Sequence, residues 1–255
     1  MLKSATIIIQ ARTGSERLPK KVLAPIQNKP LIWHVIQRVK QVKGVRQIIL
    51  ATTSRNTDQI LLRIAKKAKI NGYVGDADDV LDRYYRCALA YKADPIIRIT
   101  GDCPLIDPVL ITKMLQFYLK HNYDYVSNTL KPTYPDGLDV EIFSFKTLEK
   151  IWKNAKLRSE REHVTSYIRN NLRQFKTFNY TNDGDLSDHR WTVDEKQDLK
   201  FVRKIYSLMR PRKYFTTKQI LNLVSENPKL RTINNDIMRN EGYIKSLKMD
   251  KNVKT

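Results

Sequence analysis

Short β-branched apolar runs alternate along this chain with longer stretches in which apolar residues recur every three or four positions. The first run, over residues 5–9, is built from Ala5, Ile7, Ile8 and Ile9 around Thr6. It has no polar face, so it predicts a strand covered on both sides. Residues 30–42 place apolar side chains at 31, 32, 35, 36, 39 and 42, a helical stripe that opens on Pro30. His34 and Trp33 lie inside it and read as packing residues. Further strands are predicted over 48–52, 72–75 and 95–100, and helices over 58–68, 76–91 and 108–119, the last with Asp107 as its N-cap. Strands alternating with helices build a mostly parallel sheet with helices on both faces, a three-layer α/β fold that binds ligands beyond the strands' carboxyl ends.

The alternation weakens after residue 120. A strand over 124–127 ends at Asn128, and two prolines in KPTYPD then break the pattern. Residues 137–143 resume an extended alternation, so the region of about 130–180 reads as an excursion from the sheet. It includes helices over 144–155 and 160–171, the second with His163 and Tyr167 four apart on one face, and a strand over 175–180. An amphipathic helix follows Asp198. Beyond Arg210 come Pro211, a helix over 217–226 and a polar, basic tail over 227–255, which reads as an appendage or partly disordered end. The expected division is a main domain over 1–210 and a C-terminal appendage over 211–255.

Composition narrows the class. The 255 residues are 41% hydrophobic, enough for a core in one large or two small domains. No run approaches the roughly 18 apolar residues of a membrane span, and MLKSATIII lacks the features of a cleavable signal, so a cytoplasmic protein without a membrane partner is expected. Cys87 and Cys103 stand in unrelated contexts and form neither a disulfide framework nor a zinc pattern. The net charge of +21 calls for a polyanionic partner. Nucleic acid is the first rival reading. Lysines such as Lys66, Lys67 and Lys69 are nevertheless spread over predicted helix faces, and no nucleic-acid module signature is present, so dedicated nucleic-acid binding is not expected.

The densest chemistry follows the first strand. Arg12, Gly14, Ser15, Arg17, Lys20 and Lys21 crowd one loop at the carboxyl end of a buried strand, where N–H groups, a hydroxyl and cations can converge on a nucleoside triphosphate. A basic surface loop is the plainer alternative. The run is neither a Walker P-loop nor a GxGxxG fingerprint. Residues 101–108, GDCPLIDP, hold Asp102 in a tight turn at another strand end, where a carboxylate either caps the turn or holds Mg²⁺ against phosphate oxygens.

Residue by residue, the loop resembles the signature of the CMP-sugar synthetases and related cytidylyltransferases, AR.GS.RLP.K.L after a Pro or Gln. Here it is Gln10, Ala11, Arg12, Gly14, Ser15, Arg17, Leu18, Pro19, Lys21 and Leu23. From residue 5 to about 208 the chain is similar to the spore-coat polysaccharide branch of that superfamily. The resemblance implies the Rossmann-like nucleotide-diphospho-sugar transferase fold with a small β excursion. It places Gly75, Asp79 and Arg83 in a G..DDVL.R segment near the nucleotide and Asp102 in a GD.PL motif. It gives the excursion, with its YPDGLDVEIF sequence, to the acceptor pocket and to dimerisation, which makes Asp139 and Glu141, beside Asp136, acceptor candidates and the protein a homodimer. An REHVT.YI element puts His163 beside the acceptor. Val193, Asp194, Asp198 and Leu199 match a motif whose first Asp is a second metal carboxylate, although Glu195 and Lys196 replace the usual Thr and Pro. Asp194 also reads as a helix N-cap, and the two roles are compatible.

The chemistry so implied is nucleotidyl transfer. An acceptor oxygen attacks the α-phosphate of CTP in line, and pyrophosphate leaves without a covalent enzyme intermediate. Arg12, Arg17 and Lys21 would carry the phosphate charge, with Ala11, Gly14, Ser15, Gly75, Arg83 and Asp102 around the nucleotide. Asp102 and Asp194 would hold Mg²⁺. Asp139, Glu141 and His163 would meet a small anionic acceptor, a sugar acid of the 3-deoxy-2-ulosonic or nonulosonic type. A sugar-phosphate or phosphonate acceptor is the alternative. A GT-A glycosyltransferase is a further one, but DHR, DCP and DPV supply no DxD motif at the expected place.

Overall fold

The apolar run that opens the sequence forms the middle of the sheet in a computed structural model, which describes residues 4–212, 214–239 and 241–252. The first and last three residues, read above as the start of the chain and the end of its tail, lie outside the described residues. In order the elements are β1 (Ala5–Gln10), β2 (Pro25–Ile26), β3 (Lys29–Pro30), α1 (Leu31–Val39), β4 (Val45–Thr53), α2 (Gln59–Lys67), β5 (Asn71–Gly75), α3 (Val80–Ala90), β6 (Ile96–Thr100) and α4 (Pro108–Lys120). They continue with β7 (Tyr125–Ser127), β8 (Glu141–Phe143), α5 (Phe145–Asn154), α6 (Arg158–Glu162), α7 (Ser166–Asn170), β9 (Thr177–Asn179), α8 (Lys196–Leu208), α9 (Thr217–Glu226) and α10 (Glu241–Asn252).

Seven strands form one sheet in the order β5-β4-β1-β6-β8-β7-β9, and β2 pairs with β3 in a separate hairpin. All neighbouring pairs in the sheet are parallel except β6/β8 and β7/β8. Alternate residues of β1 enter different cores. Ile7 and Ile9 pack with α1, α4 and α8, while Ile8 packs with α3 and α5. Both faces are therefore covered, which is why β1 carries no polar alternation. From β1 the chain first builds outward through β4 and β5, then crosses to β6 on the other side. The carboxyl ends of β1 and β6 flank the point of reversal, the place where a doubly wound sheet opens a crevice. Gly101 lets the two strand ends touch. A Cβ there would lie 2.8 Å from the Ala11 Cβ and from the Gln10 carbonyl oxygen that accepts the Gly101 N–H.

Several expectations are corrected. Residues 141–143 do not leave the sheet. They are β8, inserted between β6 and β7, because Glu141 finds a buried partner in Arg98 directly across the β6/β8 ladder. The helix expected over 160–171 is two short helices. His163 ends α6 and Tyr167 belongs to α7, where it packs edge-on against Phe175, so the two do not share a helix face. The helix expected from Asp76 starts at Val80. Asp76 accepts the N–H groups of Asp78 and Asp79, and Asp79 is the cap. The stretch ending in Asp194, which the resemblance makes the end of a strand, forms only a single bridge, from Arg190 to Asp136. Asp194 does not cap α8; the Asp198 side chain accepts the Asp194 and Glu195 N–H groups instead. The tail is not a loose end within the described residues, since it forms α10 and packs beside the crevice. Asp107 is the N-cap of α4, and its second oxygen holds Thr217 at the start of α9. Among the described residues no helix is long and apolar enough to cross a membrane.

Candidate active site

The loop after β1 is held from below. Buried Asp58 accepts the Thr13 N–H at 2.7 Å and the Thr13 hydroxyl at 2.6 Å, and Thr13 O in turn accepts the Ser15 and Lys20 N–H groups. The loop residues Ala11, Arg12, Gly14, Ser15, Arg17 and Lys21 border an open cleft of about 610 Å³. Arg83, Asp102, His163 and Asp194 complete it from other elements. Gly75 does not line the cleft. It packs behind it, where a Cβ would come within 2.7 Å of the Arg83 side chain. Arg83 is buried and binds the carbonyls of Asp76 and Ala77, so part of its fork is used on the turn before α3. No ion pair involving Arg12 is found among the described residues, which leaves an uncommitted cation on the cleft wall.

Asp102 and Asp194 stand 92 positions apart and meet because the Val193 N–H donates to the Asp102 carbonyl. Between their carboxylates lies the Lys21 ammonium, 2.7 Å from Asp102 Oδ2 and 2.6 Å from Asp194 Oδ1. Burial pulls Lys21 down, but the two carboxylates outweigh it and hold the ammonium above its usual range. Burial likewise pushes Asp102 up, and Lys21 outweighs that, so Asp102 titrates at about 2. Arg190 fixes the other side of Asp194 at 3.1 Å while bonding Asp136 and Asp198 at 2.9 Å each. Two hard oxygen donors converging on one cation form a donor set suited to Mg²⁺, which takes one or two carboxylates and completes its shell with phosphate oxygens and water. A metal there would displace Lys21 from between them.

A second, smaller cavity of about 220 Å³ adjoins the first, and Arg17, Asp102, His163 and Asp194 border both. Asp139 and Glu141 line it, as do Arg98 and Arg169. Glu141 is buried, ion-paired to Arg98, 3.8 Å from Arg169, and bonded by the Thr165 and Tyr125 hydroxyls. Burial raises its pKa, and the two arginines more than reverse this, to about 2. This group of two guanidiniums and one carboxylate keeps a net positive charge facing the cavity. Also lining this cavity, Asp136 is raised to about 7 by burial with Asp139 beside it, and burial also raises Asp139. Burial lowers His163, whose Nε2 lies 3.1 Å from the Ser246 hydroxyl.

All the residues expected to form the site gather around these two cavities except Gly75 and Asp79, which stand behind them; the Asp79 carboxylate is taken by Arg161. Sequence reasoning missed Asp58, Arg98, Arg169, Arg190 and Glu241. Arg98 was the detectable one, an ionisable residue inside the apolar run PIIRIT.

Residues 6–239 match the family model described as cytidylyltransferase. The spore coat polysaccharide biosynthesis protein SpsF of Bacillus subtilis is 32% identical, over 88% of this chain and 95% of that protein. An 8-amino-3,8-dideoxy-manno-octulosonate cytidylyltransferase of Shewanella amazonensis is 33% identical over half of this chain and 52% of its own length. Among solved structures, a cytidylyltransferase from Leptospira borgpetersenii superposes with a TM-score of 0.86 at 33% identity, covering 89% of this chain and 97% of that one.

Proposed function

The chain belongs to the cytidylyltransferase family, and on that premise we propose that it transfers CMP from CTP to a sugar acid of the 3-deoxy-2-ulosonic or nonulosonic type, releasing pyrophosphate, in the synthesis of cell-surface polysaccharide. As a cytidylyltransferase it uses CTP and a sugar acceptor. The observation that carries the finer reading is the meeting of two cavities at Asp102, Asp194 and Arg17. The larger has the cations and loop amides for a triphosphate. The smaller has a net positive Arg98–Glu141–Arg169 group for an acceptor carboxylate, and Asp139 in the same lining to accept from hydroxyls or an amino group. A sugar-phosphate dianion would suit this second cavity less well, because two guanidiniums against one carboxylate leave a single net positive charge, which matches a monoanion.

In this reading the acceptor hydroxyl oxygen forms a bond to the α-phosphorus while the bond from that phosphorus to the bridging oxygen breaks. Pyrophosphate leaves with the electron pair, and the hydroxyl proton passes to solvent. Arg12 and Arg17 clamp phosphate oxygens with fixed charge, and Lys21 follows the developing charge as a point cation. Mg²⁺ held by Asp102 and Asp194 would neutralise phosphate charge. Arg190 keeps Asp194 turned toward the junction of the cavities. The test is pyrophosphate release from each of four NTPs against a panel of 3-deoxy sugar acids, sugar phosphates and phosphonates. Turnover of CTP with a sugar acid is expected. Turnover with a sugar phosphate and with none of the acids would overturn the acceptor assignment.

A further inference from the structure

The C-terminal segment reaches the active site by a route that ends in α10. Asn234 is buried against the Arg190 carbonyl and the Asp198 carboxylate, which fixes where the segment leaves the core. The segment then runs along the junction of the two cavities, and Glu241 and Gly242 border both. The grip of α10 on the rest of the molecule is largely polar. Asp250 accepts the Ser159 N–H at 3.1 Å, Ser246 donates to Glu162 at 3.0 Å, Lys245 pairs with Glu16 at 3.0 Å, and Glu241 pairs with Arg17 at 2.8 Å. Its apolar side chains are only partly covered: Ile244 is 40% and Met249 37% exposed, and half-buried Tyr243 packs edge-on against His163. Exposed ion pairs of this kind contribute little each, and a helix with few buried apolar contacts sits at the low end of local stability.

Arg17 is where this helix meets the proposed chemistry. Its guanidinium is shared among Asp194 at 3.1 Å, Glu195 at 3.7 Å and Glu241 at 2.8 Å. A carboxylate bonded to an arginine fork takes the donors that a phosphate oxygen would use. Asp194 and Glu195 belong to the fixed start of α8, whereas Glu241 rides on the weakly held helix. A triphosphate in the cleft would meet the Glu241 carboxylate as a like charge competing for the same guanidinium. We propose that Glu241 is a resident competitor for CTP at Arg17, and that nucleotide binding displaces it and lifts α10 from the cleft. The inference rests on the assignment of Arg17 as a phosphate ligand made above. Glu241 then sets CTP affinity without touching the reacting atoms. The segment is a closed wall in the absence of nucleotide and an opened one in its presence.

The test uses the full chain and CTP itself. Calorimetric titration should show Glu241→Gln binding CTP more tightly than the wild type by roughly two- to fivefold, the range set by a half-exposed ion pair. Amide hydrogen exchange over residues 241–250 of the wild-type chain should become faster when CTP is added. An unchanged or weaker affinity in Glu241→Gln, or slower exchange with CTP, overturns the competition. Arg17→Ala separates this failure from that of the underlying assignment. If Arg17→Ala binds CTP as the wild type does, Arg17 is no phosphate ligand and both readings fall. If it binds CTP more weakly while Glu241→Gln is unaltered, only the competition is wrong.

Discussion

Replacing Lys21 by Met removes an ammonium from between two carboxylates while keeping most of the side chain's stem. Asp102 is lowered from an ordinary 3.8 to about 2, with Lys21 as the main opposing influence on its burial. A displacement of that size is worth about 2 kcal/mol of folding stability at neutral pH, and Asp102 is only a quarter exposed, so solvent screening removes little of it. In a chain of this size such a loss lowers the melting temperature by about 4–8 °C. The sign with pH follows from the direction of the shift. In the wild type the Asp102 contribution is present above about pH 4, the range of an unfolded Asp, and is lost as pH falls toward the folded value of about 2. In Lys21→Met, burial and the facing Asp194 both favour the protonated acid. The variant should therefore regain stability on going from about pH 7 to about pH 5, a change this group does not give the wild type. Millimolar Mg²⁺ should also raise the variant's melting temperature more than the wild type's, because a cation can enter the place the ammonium held. Thermal melts of both proteins, with EDTA or with Mg²⁺ across that pH range, read all three effects. A variant that melts like the wild type and responds equally to Mg²⁺ would refute the reasoning, since the two carboxylates would then not form a shared cation site.

Arg17→Ala should reduce turnover about a hundred- to thousandfold, the usual consequence of losing one charge-stabilising donor, with little change in melting temperature because its ion pairs are solvent-facing; near-wild-type kinetics would remove it from the chemistry. Asp194→Asn should lose most activity and need more Mg²⁺ for half-maximal rate, and an unchanged Mg²⁺ dependence of the residual rate would exclude Asp194 as a ligand. Arg239 bonds Asp139 at 2.8 Å and restrains the protonation of both Asp139 and Asp136. Arg239→Ala should raise the acceptor KM at about pH 6–7 and recover toward wild type as pH rises, with the CTP KM unchanged and Arg239→Lys close to wild type; a defect that does not vary with pH would reduce Arg239 to a structural role.

The parts of the fold legible in sequence were those in which one short stretch determines its own environment. β1 was readable because a strand covered on both faces has no polar position, and the loop after it because its cations have no apolar periodicity to serve. The split of 160–171 into α6 and α7 was not readable. A periodic stripe looks continuous whether or not the backbone between Glu162 and Ser166 turns. The role of Asp194 was half visible: its register suggested a site, yet which of Asp194 and Asp198 caps α8 depends on Arg190 holding both. The docking of α10 was invisible for a different reason. Apart from Tyr243 against His163, its contacts are individual polar pairs to residues 80 or more positions away, and an exposed Glu or Lys on a helix carries no mark of its partner.

The placement of β8 was more legible than its reading as an excursion allowed. A guanidinium in the middle of PIIRIT cannot enter a core unpaired, since an uncompensated buried charge costs several kcal/mol. The same holds for a carboxylate in the middle of DVEIF. Each run therefore requires an opposite charge at the same depth, and each is the other's best candidate because both charges stand in apolar runs of strand length. Setting Arg98 opposite Glu141 brings Ile97 opposite Ile142 and Ile96 opposite Phe143 when the strands are antiparallel, which is the observed register. The charge pair thus selects the neighbour and the register of β8, and the ladder formed is antiparallel. That choice has a consequence for the site. With β8 antiparallel, the residue two before Glu141 emerges at the carboxyl end of β6, and so Asp139 reaches the cavity beside Asp102 instead of the opposite edge of the sheet.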